Sequence, residues 1–358
     1  METDYHFGVA VGIDRYPGYR RGETDRDLLY ACSDANAFYD WMRGPGNLTE
    51  ANTSLLTFTE DEVGSSPIDA KPRCAHIYEA IKGFKDHMED VGGDDPDAWE
   101  RSRLYFYVSG HGFASSSNDV ALLTADAQHQ VWPHVSCRKL IEHFQSTQSF
   151  REVIVFADCC RDRVPAVAPS GPPWATPNRN PGGGIEDVLG FAAEYGRRAY
   201  EPGLNADEQR GYFTQALLEG LGGHTRLKAS DPVKMSTLDD YLRLRVPELT
   251  KGKRGVVPQS PKLTGSPGLV LVPKERLPPV KKFQVTLKFQ EAPPVPLGIF
   301  IGGEKKEERA TPLAADEPWK IRLHKGLYEV RRPDGSEIPG WNGKDSFMVF
   351  REGHDVKL

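Results

Sequence analysis

Three stretches of the chain are apolar almost without interruption: Phe7–Ile13 (FGVAVGI), Arg103–Ser109 (RLYFYVS) and Glu152–Ala157 (EVIVFA). Short runs rich in Val, Ile, Phe and Tyr, without a regular polar alternate, suit strands covered on both faces. Leu55–Phe58, Val188–Ala193 and Leu269–Val272 are shorter candidates of the same kind. Between them the period changes to that of a helix. Asp34–Met42, Ala75–Met88 and Ser136–Phe144 are amphipathic, with Ile77, Ile81, Phe84 and Met88 on one face of the second. Gly211–Leu221 and Ser236–Val246 repeat the pattern, with Ser236 placed as an N-cap. Strands alternating with helices predict a parallel sheet with helices on both faces.

Two breaks divide the chain. Residues 163–187 hold six prolines and four glycines in 25 positions, a composition that reads as a mobile loop rather than a regular element. The second break is Pro273–Val280 (PKERLPPV). Beyond it apolar and polar residues alternate, as at Phe283, Val285, Leu287 and Phe289. Leu297–Ile301, Trp319–Leu323, Gly326–Arg331 and Ser346–Phe350 follow, separated by turns such as Pro333-Asp334-Gly335, and residues 281–358 read as a small antiparallel β module.

Composition narrows the functional classes. A net charge of −6 disfavours nucleic acid as the main partner, since phosphate neutralisation needs clustered Lys and Arg. No apolar run is long enough to span a bilayer, and the opening Met-Glu-Thr-Asp-Tyr-His lacks the pattern of a secretory signal, so a cytoplasmic protein with no membrane partner is the expectation. The five cysteines, Cys32, Cys74, Cys137, Cys159 and Cys160, form neither a disulfide framework nor a C-x-x-C zinc motif. They are buried apolar residues or they carry chemistry.

Two of the strands run into reactive residues. Arg103–Ser109 leads into Gly110-His111-Gly112, and Glu152–Ala157 leads into Asp158-Cys159-Cys160-Arg161. Sites in open parallel sheets form beyond the carboxyl ends of strands, so a thiol, an imidazole and backbone N–H groups can meet there. With Asp14, Tyr16 and Ser33-Asp34-Ala35 after the first strand, and 49 residues between His111 and Cys160, the sequence resembles the caspase-like cysteine peptidases, a clan that includes metacaspases and bacterial caspase-like proteins. Phe191-Ala192-Ala193, Ala199-Tyr200-Glu201, Gly211-Tyr212-Phe213-Thr214, Gln259 and Pro261 extend the resemblance over residues 5–272.

The resemblance implies an α/β fold: an α/β/α sandwich about a mainly parallel six-stranded sheet, followed by the small all-β domain. The peptidase domain would cover 1–272, with halves 1–162 and 188–272 flanking the linker 163–187. It implies a Cys-His dyad in which Cys160 attacks the scissile carbonyl, His111 moves protons, and the amides of Gly112 and Cys160 hold the oxyanion. Asp34 and Asp158 match the family's specificity pocket. Two carboxylates there favour a basic residue before the scissile bond, Arg over Lys, in protein or peptide substrates. No clear Arg stands at the position near the first helix where an acid-specific caspase carries one, although Arg20, Arg21 and Arg26 lie in the preceding loop. Self-cleavage in the linker region would fall after Arg163, Arg179, Arg197 or Arg198. No cofactor is expected. Calcium is not favoured, since the stretch after Gly112, Phe113–Asp126, reads as a loop with only Asp119 and Asp126 as acidic residues. The setting implied is regulated proteolysis, such as bacterial cell death, stress or anti-phage defence, with the β module as a docking unit for a regulatory partner. The alternative is a catalytically silent caspase-like scaffold that acts by binding.

Overall fold

The computed structural model describes residues 5–19, 27–59, 66–95, 97–174, 184–203, 209–225, 231–253, 256–278, 282–289, 295–301, 304–309, 318–324, 326–338, 346–349 and 354–357. The chain divides into two compact units. One comprises Met1–Leu218 with Lys234–Leu269, the other Glu219–Val233 with Val270–Leu358.

The first unit is built on a six-stranded sheet. Its strands are β1 (Tyr5–Ile13), β2 (Thr53–Phe58), β3 (Ser102–Gly110), β4 (Glu152–Cys159), β5 (Glu186–Phe191) and β6 (Lys262–Gly265), in the spatial order β6-β5-β4-β3-β1-β2. All pairings are parallel except β5 with β6, which is antiparallel. This is the expected α/β class with a mainly parallel sheet. The strands form where the apolar runs lie: every residue of β3 and all but the first of β4 are buried.

Helix α1 (Ala31–Arg43) covers one face. Phe38 stacks on Tyr107 at 4.6 Å, and Trp41 meets Tyr105 edge-on at 5.5 Å. Close approach needs Gly12, where a Cβ would lie 2.4 Å from the Ala31 carbonyl oxygen. Helices α2 (Cys74–Asp94) and α3 (Cys137–Thr147) belong to the core of the opposite face, where Ile77, Ile81, Leu140 and Phe144 join Phe7, Val9, Phe106 and Val155. Strand alternation therefore sorts the end of β4: Phe156 faces Phe38 on α1, Asp158 shares that face, and Cys159 belongs to the opposite core. The chain passes from β1 to β2 on one side, then returns to place β3 on the other. The switch point lies between β1 and β3, where open α/β sheets form crevices at their carboxyl ends.

Several expectations need correction. The sixth strand of the sheet is Lys262–Gly265, not Leu269–Val272, whose residues 270–272 lie in the second unit. An edge strand with Leu263 as its one buried apolar side chain has no continuous apolar signature. The stretch after Gly112 is not a loop: Gly112–Ala114, Ala121–Leu123, His134–Ser136 and Asp162–Arg163 form a four-stranded sheet. Ser136 does cap α3, its hydroxyl accepting from Lys139 N at 3.1 Å. Ser236 does not cap α5 (Met235–Thr250), which starts one residue earlier, with Thr237 Oγ1 accepting from Lys234 N. The first part of the Pro/Gly-rich linker is anchored. Val164 N donates to Ala114 O at 3.0 Å, and Trp174 packs edge-on against Tyr78 and His143. Helix α4 (Tyr212–Glu219) fills the expected span Gly211–Leu221 in part, ending in a π-type turn over Gly220–His224.

Among the described residues, the second unit contains seven strands past residue 281: β7 (Lys282–Lys288), β8 (Leu297–Ile301), β9 (Glu304–Arg309), β10 (Trp319–His324), β11 (Gly326–Arg331), β12 (Ser346–Val349) and β13 (His354–Lys357). They form a three-stranded sheet, β10-β7-β13, and a four-stranded sheet, β9-β8-β11-β12. The alternating residues Val285, Leu287, Ile321 and Leu323 meet Ile299, Tyr328, Val330 and Phe347 in one core. The module is not wholly antiparallel, because β7 and β13 pair in parallel. Among the described residues, no helix is long and apolar enough to cross a membrane.

Candidate active site

The carboxyl ends of β3 and β4 lie side by side, with Ser109 opposite Asp158 and Gly110 opposite Cys159. Asp34, in the first turn of α1, comes to the same place from the α1 face. Its Oδ2 accepts from Ser109 Oγ at 3.3 Å and its Oδ1 from Gly211 N at 2.9 Å. Asp158 Oδ2 accepts from Thr214 N at 3.2 Å and from Thr214 Oγ1 at 2.7 Å. Tyr107 OH bonds Thr214 Oγ1 behind them. The carboxylates converge on Gly211, where a Cβ would lie 2.5 Å from Asp158 Oδ2 and 2.9 Å from Asp34 Oδ2. Only hydrogen there leaves both acids room.

Asp34 is 2% exposed and Asp158 7%. The donors to both among the described residues are neutral. Burial, and then the charge of Asp158, hold the Asp34 carboxyl well above the usual carboxylate range. Burial also raises Asp158, against the pull of Thr214. Among the described residues, two buried acids thus share one site with only neutral hydrogen-bond donors.

Glu201 is a third carboxylate beside this pair. It accepts from Leu29 N at 2.9 Å and Tyr30 N at 3.1 Å, which fixes it to the start of α1. Burial pushes it up to about 7, with Asp14 and Asp158 adding to the effect.

His111 and Cys160 lie just past β3 and β4. Tyr16 OH accepts from His111 N at 2.9 Å, and its ring packs against the imidazole at 4.9 Å between centroids. Gly112 seats this turn on the end of β4: a Cβ there would lie 2.6 Å from Cys159 Cβ and 2.9 Å from the Cys160 carbonyl oxygen. Cys160 is partly exposed, while Cys159 is buried in the core. The Cys160 thiol donates to Ala199 O at 3.7 Å. Burial, reinforced by Asp162 and Asp158 and opposed by Arg198, pushes this thiol up to about 11, so it rests protonated.

Arg161 is buried and holds the surroundings of Cys160 together. Its guanidinium donates to the carbonyls of Ser117, Asp119 and Ala193 and lies 3.9 Å over the Phe191 ring. Burial lowers it to about 10, which leaves it a cation at neutral pH. Its backbone pairs with the segment before Ala199: Arg161 N donates to Arg197 O, and Gly196 N donates to Arg161 O.

The arginines singled out for self-cleavage fall in two groups. Arg163, Arg197 and Arg198 are exposed and gather beside this pairing. Arg163 lies 4.9 Å over the Tyr195 ring, and Arg198 Nε is 3.9 Å from Asp162. Among the described residues, none of the three hydrogen-bonds or ion-pairs with Asp34 or Asp158. Arg179, Arg20, Arg21 and Arg26 lie outside the described residues. Asp119 has its carboxylate committed to Val120 N, Arg138 N and Ser136 Oγ. Among the described residues, no group of three or more His, Cys, Asp or Glu is placed to hold a metal.

Sequence reasoning missed the work of Thr214, Glu201, Tyr16 and Arg161. Each lies in a quoted motif, but the motif does not say which carboxylate, helix end, amide or carbonyl the side chain will meet.

No protein-family model matches the chain, and no curated protein matches its sequence. Among solved structures the chain is similar to caspase-1 from Spodoptera frugiperda, at 12% identity and a TM-score of 0.45, over 76% of this chain and 91% of that one. A likeness of that degree carries no site residue across.

Proposed function

We propose that the chain is a cysteine endopeptidase that cleaves after basic residues, Arg over Lys. One observation carries the reading: at the paired ends of β3 and β4, a His turn packs against a Cys turn beside a buried acid pair whose donors are neutral. His111 would take the Cys160 proton as the thiol attacks, since a thiol with a pKa of about 11 is a poor nucleophile unaided. The amides of Gly112 and Cys160 would receive the developing oxyanion. This chemistry calls on no metal or cofactor. A planar guanidinium can bond two carboxylates at once, which favours Arg over the compact ammonium of Lys.

The acid pair gives the reading a pH signature. Both carboxyls are raised in the free protein, and a bound cation favours their ionised forms. Binding of an Arg substrate therefore releases protons, and affinity falls as pH drops through the weakly acid range. The silent-scaffold alternative draws on the same protonated thiol. The two readings separate on a peptide library scored by the residue before the cut. Cleavage after Arg that vanishes in Cys160→Ala supports the peptidase. Cleavage after Asp, or none with intact protein, defeats it.

The arrangement of the arginines bears on processing. The 196–197 segment is bonded to Arg161, and Arg198 points to Asp162, so a cut in cis at either residue requires that pairing to open. The second unit, with a core of its own, is part of this reading as a docking unit for a regulatory partner.

A further inference from the structure

The proposed reaction fixes which side of the site receives the departing half of the substrate. The Cys160 sulfur forms a bond to the acyl carbon as the C–N bond breaks. The proton taken up by His111 passes to the leaving nitrogen. Water then cleaves the thioester, giving the carboxylic acid and restoring the thiol. The leaving nitrogen must reach His111, so the residue that follows the scissile bond lies against whatever flanks that imidazole, away from the acid pair.

Among the described residues, that flank is mostly aromatic and aliphatic. The His111 ring packs against Tyr16 and, at 5.8 Å between centroids, against Tyr19. Tyr19 meets Trp132 edge-on at 5.7 Å, and Trp132 rests on Phe113 at 5.5 Å. Tyr19 and Trp132 are partly exposed, and Val131 beside them is 59% exposed. The wall is already built. His129 N donates to Gly18 O at 3.1 Å, Gln128 N to Val131 O at 2.8 Å, and Trp132 Nε1 to His129 O at 3.3 Å. A Cβ at Gly18 would lie 2.9 Å from the Ala127 carbonyl oxygen, so the two segments are in close contact. An aromatic surface held beside a reacting group takes aromatic or aliphatic side chains, repels an anionic one, and gives a cation only the small gain of a cation–π contact.

We propose that Tyr19, Val131 and Trp132 form a subsite for the residue after the scissile bond, and that it selects large apolar side chains. The proposal rests on the peptidase reading. Its test is a series of internally quenched peptides, constant up to an Arg and carrying Phe, Leu, Gly, Asp or Lys next. The expected order of kcat/KM is Phe and Leu above Gly by about tenfold, with Asp lowest, in line with the value of burying a side chain. In Trp132→Ala the Phe-to-Gly ratio falls towards one. In Val131→Glu, at an exposed position that folding tolerates, Lys gains on Leu. A flat profile in the wild type, or equal losses on every peptide in both variants, overturns the subsite and leaves the peptidase standing. Failure to cleave any peptide of the series overturns both.

Discussion

Cys159 and Cys160 are neighbours in opposite surroundings. Cys159 is buried in the core shared with α2 and α3, whereas Cys160 reaches the site edge and the Ala199 carbonyl. Cys160→Ala is expected to abolish cleavage. Cys159→Ala should retain it, at a stability cost of about 1 kcal/mol for a small buried group, checked by thermal melting beside a peptide assay. Because burial holds the Cys160 thiol near 11, its alkylation in the free protein should rise about tenfold per pH unit through the mildly alkaline range without a plateau. Mass mapping of the iodoacetamide adduct on the peptide containing residue 160 checks this, and a plateau near neutral pH would show a thiolate already activated at rest.

Asp158 presents the opposite trade. Its carboxyl is raised in the folded protein, so the ionised form is a stability cost at and above neutral pH and not below the ordinary carboxylate value. Asp158→Asn keeps an oxygen to accept from Thr214 and removes the charge. It should melt at or above the wild-type temperature near pH 8, an advantage on the order of 1 kcal/mol that shrinks as pH falls towards about 4. Cleavage after Arg should lose roughly 2–5 kcal/mol of transition-state binding, the usual range for removing one partner of a buried charge contact. A variant that melts lower and still cleaves after Arg would mean that the carboxylate is structural.

At the scale of elements, the site depends on how α1 and the 196–201 segment are tied together. Glu201 joins the amides at the start of α1 to an irregular segment whose Ala199 carbonyl accepts from the Cys160 thiol. Glu201→Ala should cost about 1 kcal/mol of stability, as for a lost helix cap, and should raise KM for Arg peptides through Asp34, with Glu201→Gln in between. Melting curves and KM measured on the same samples test the link. The β3 and β4 strands were legible because central parallel strands are apolar throughout, and the turns that carry His111 and Cys160 follow directly from their ends. The edge strand Lys262–Gly265 was not, since half of its surroundings are solvent or backbone. The sheet over Gly112–Ser136 was hidden for a different reason: its strands are three residues long, too short for a period to emerge. The candidate acid pair was legible as two residues of a motif. Its donors were not, because Gly211 and Thr214 approach from a part of the chain more than fifty residues beyond Asp158.

For the whole chain, the anchoring of the linker matters more than its composition. On its near side Val164, Val167 and Trp174 pack onto the core, and on its far side Glu186 N donates to Arg151 O as β5 joins β4. Leu189 and Phe191 of β5 are buried in the same core as β3 and β4. Two co-expressed chains, one ending and the other beginning between residues 175 and 183, are therefore expected to assemble and purify together. Recovery of either piece alone as a folded species would contradict this. The parallel pairing of β4 with β5 thus makes the two halves partners by surface, with the peptide between them an accessory. Severing that peptide would be a one-way event that leaves the six-stranded sheet intact. In such a molecule a cut serves as a lasting record that something happened, written without taking the molecule apart.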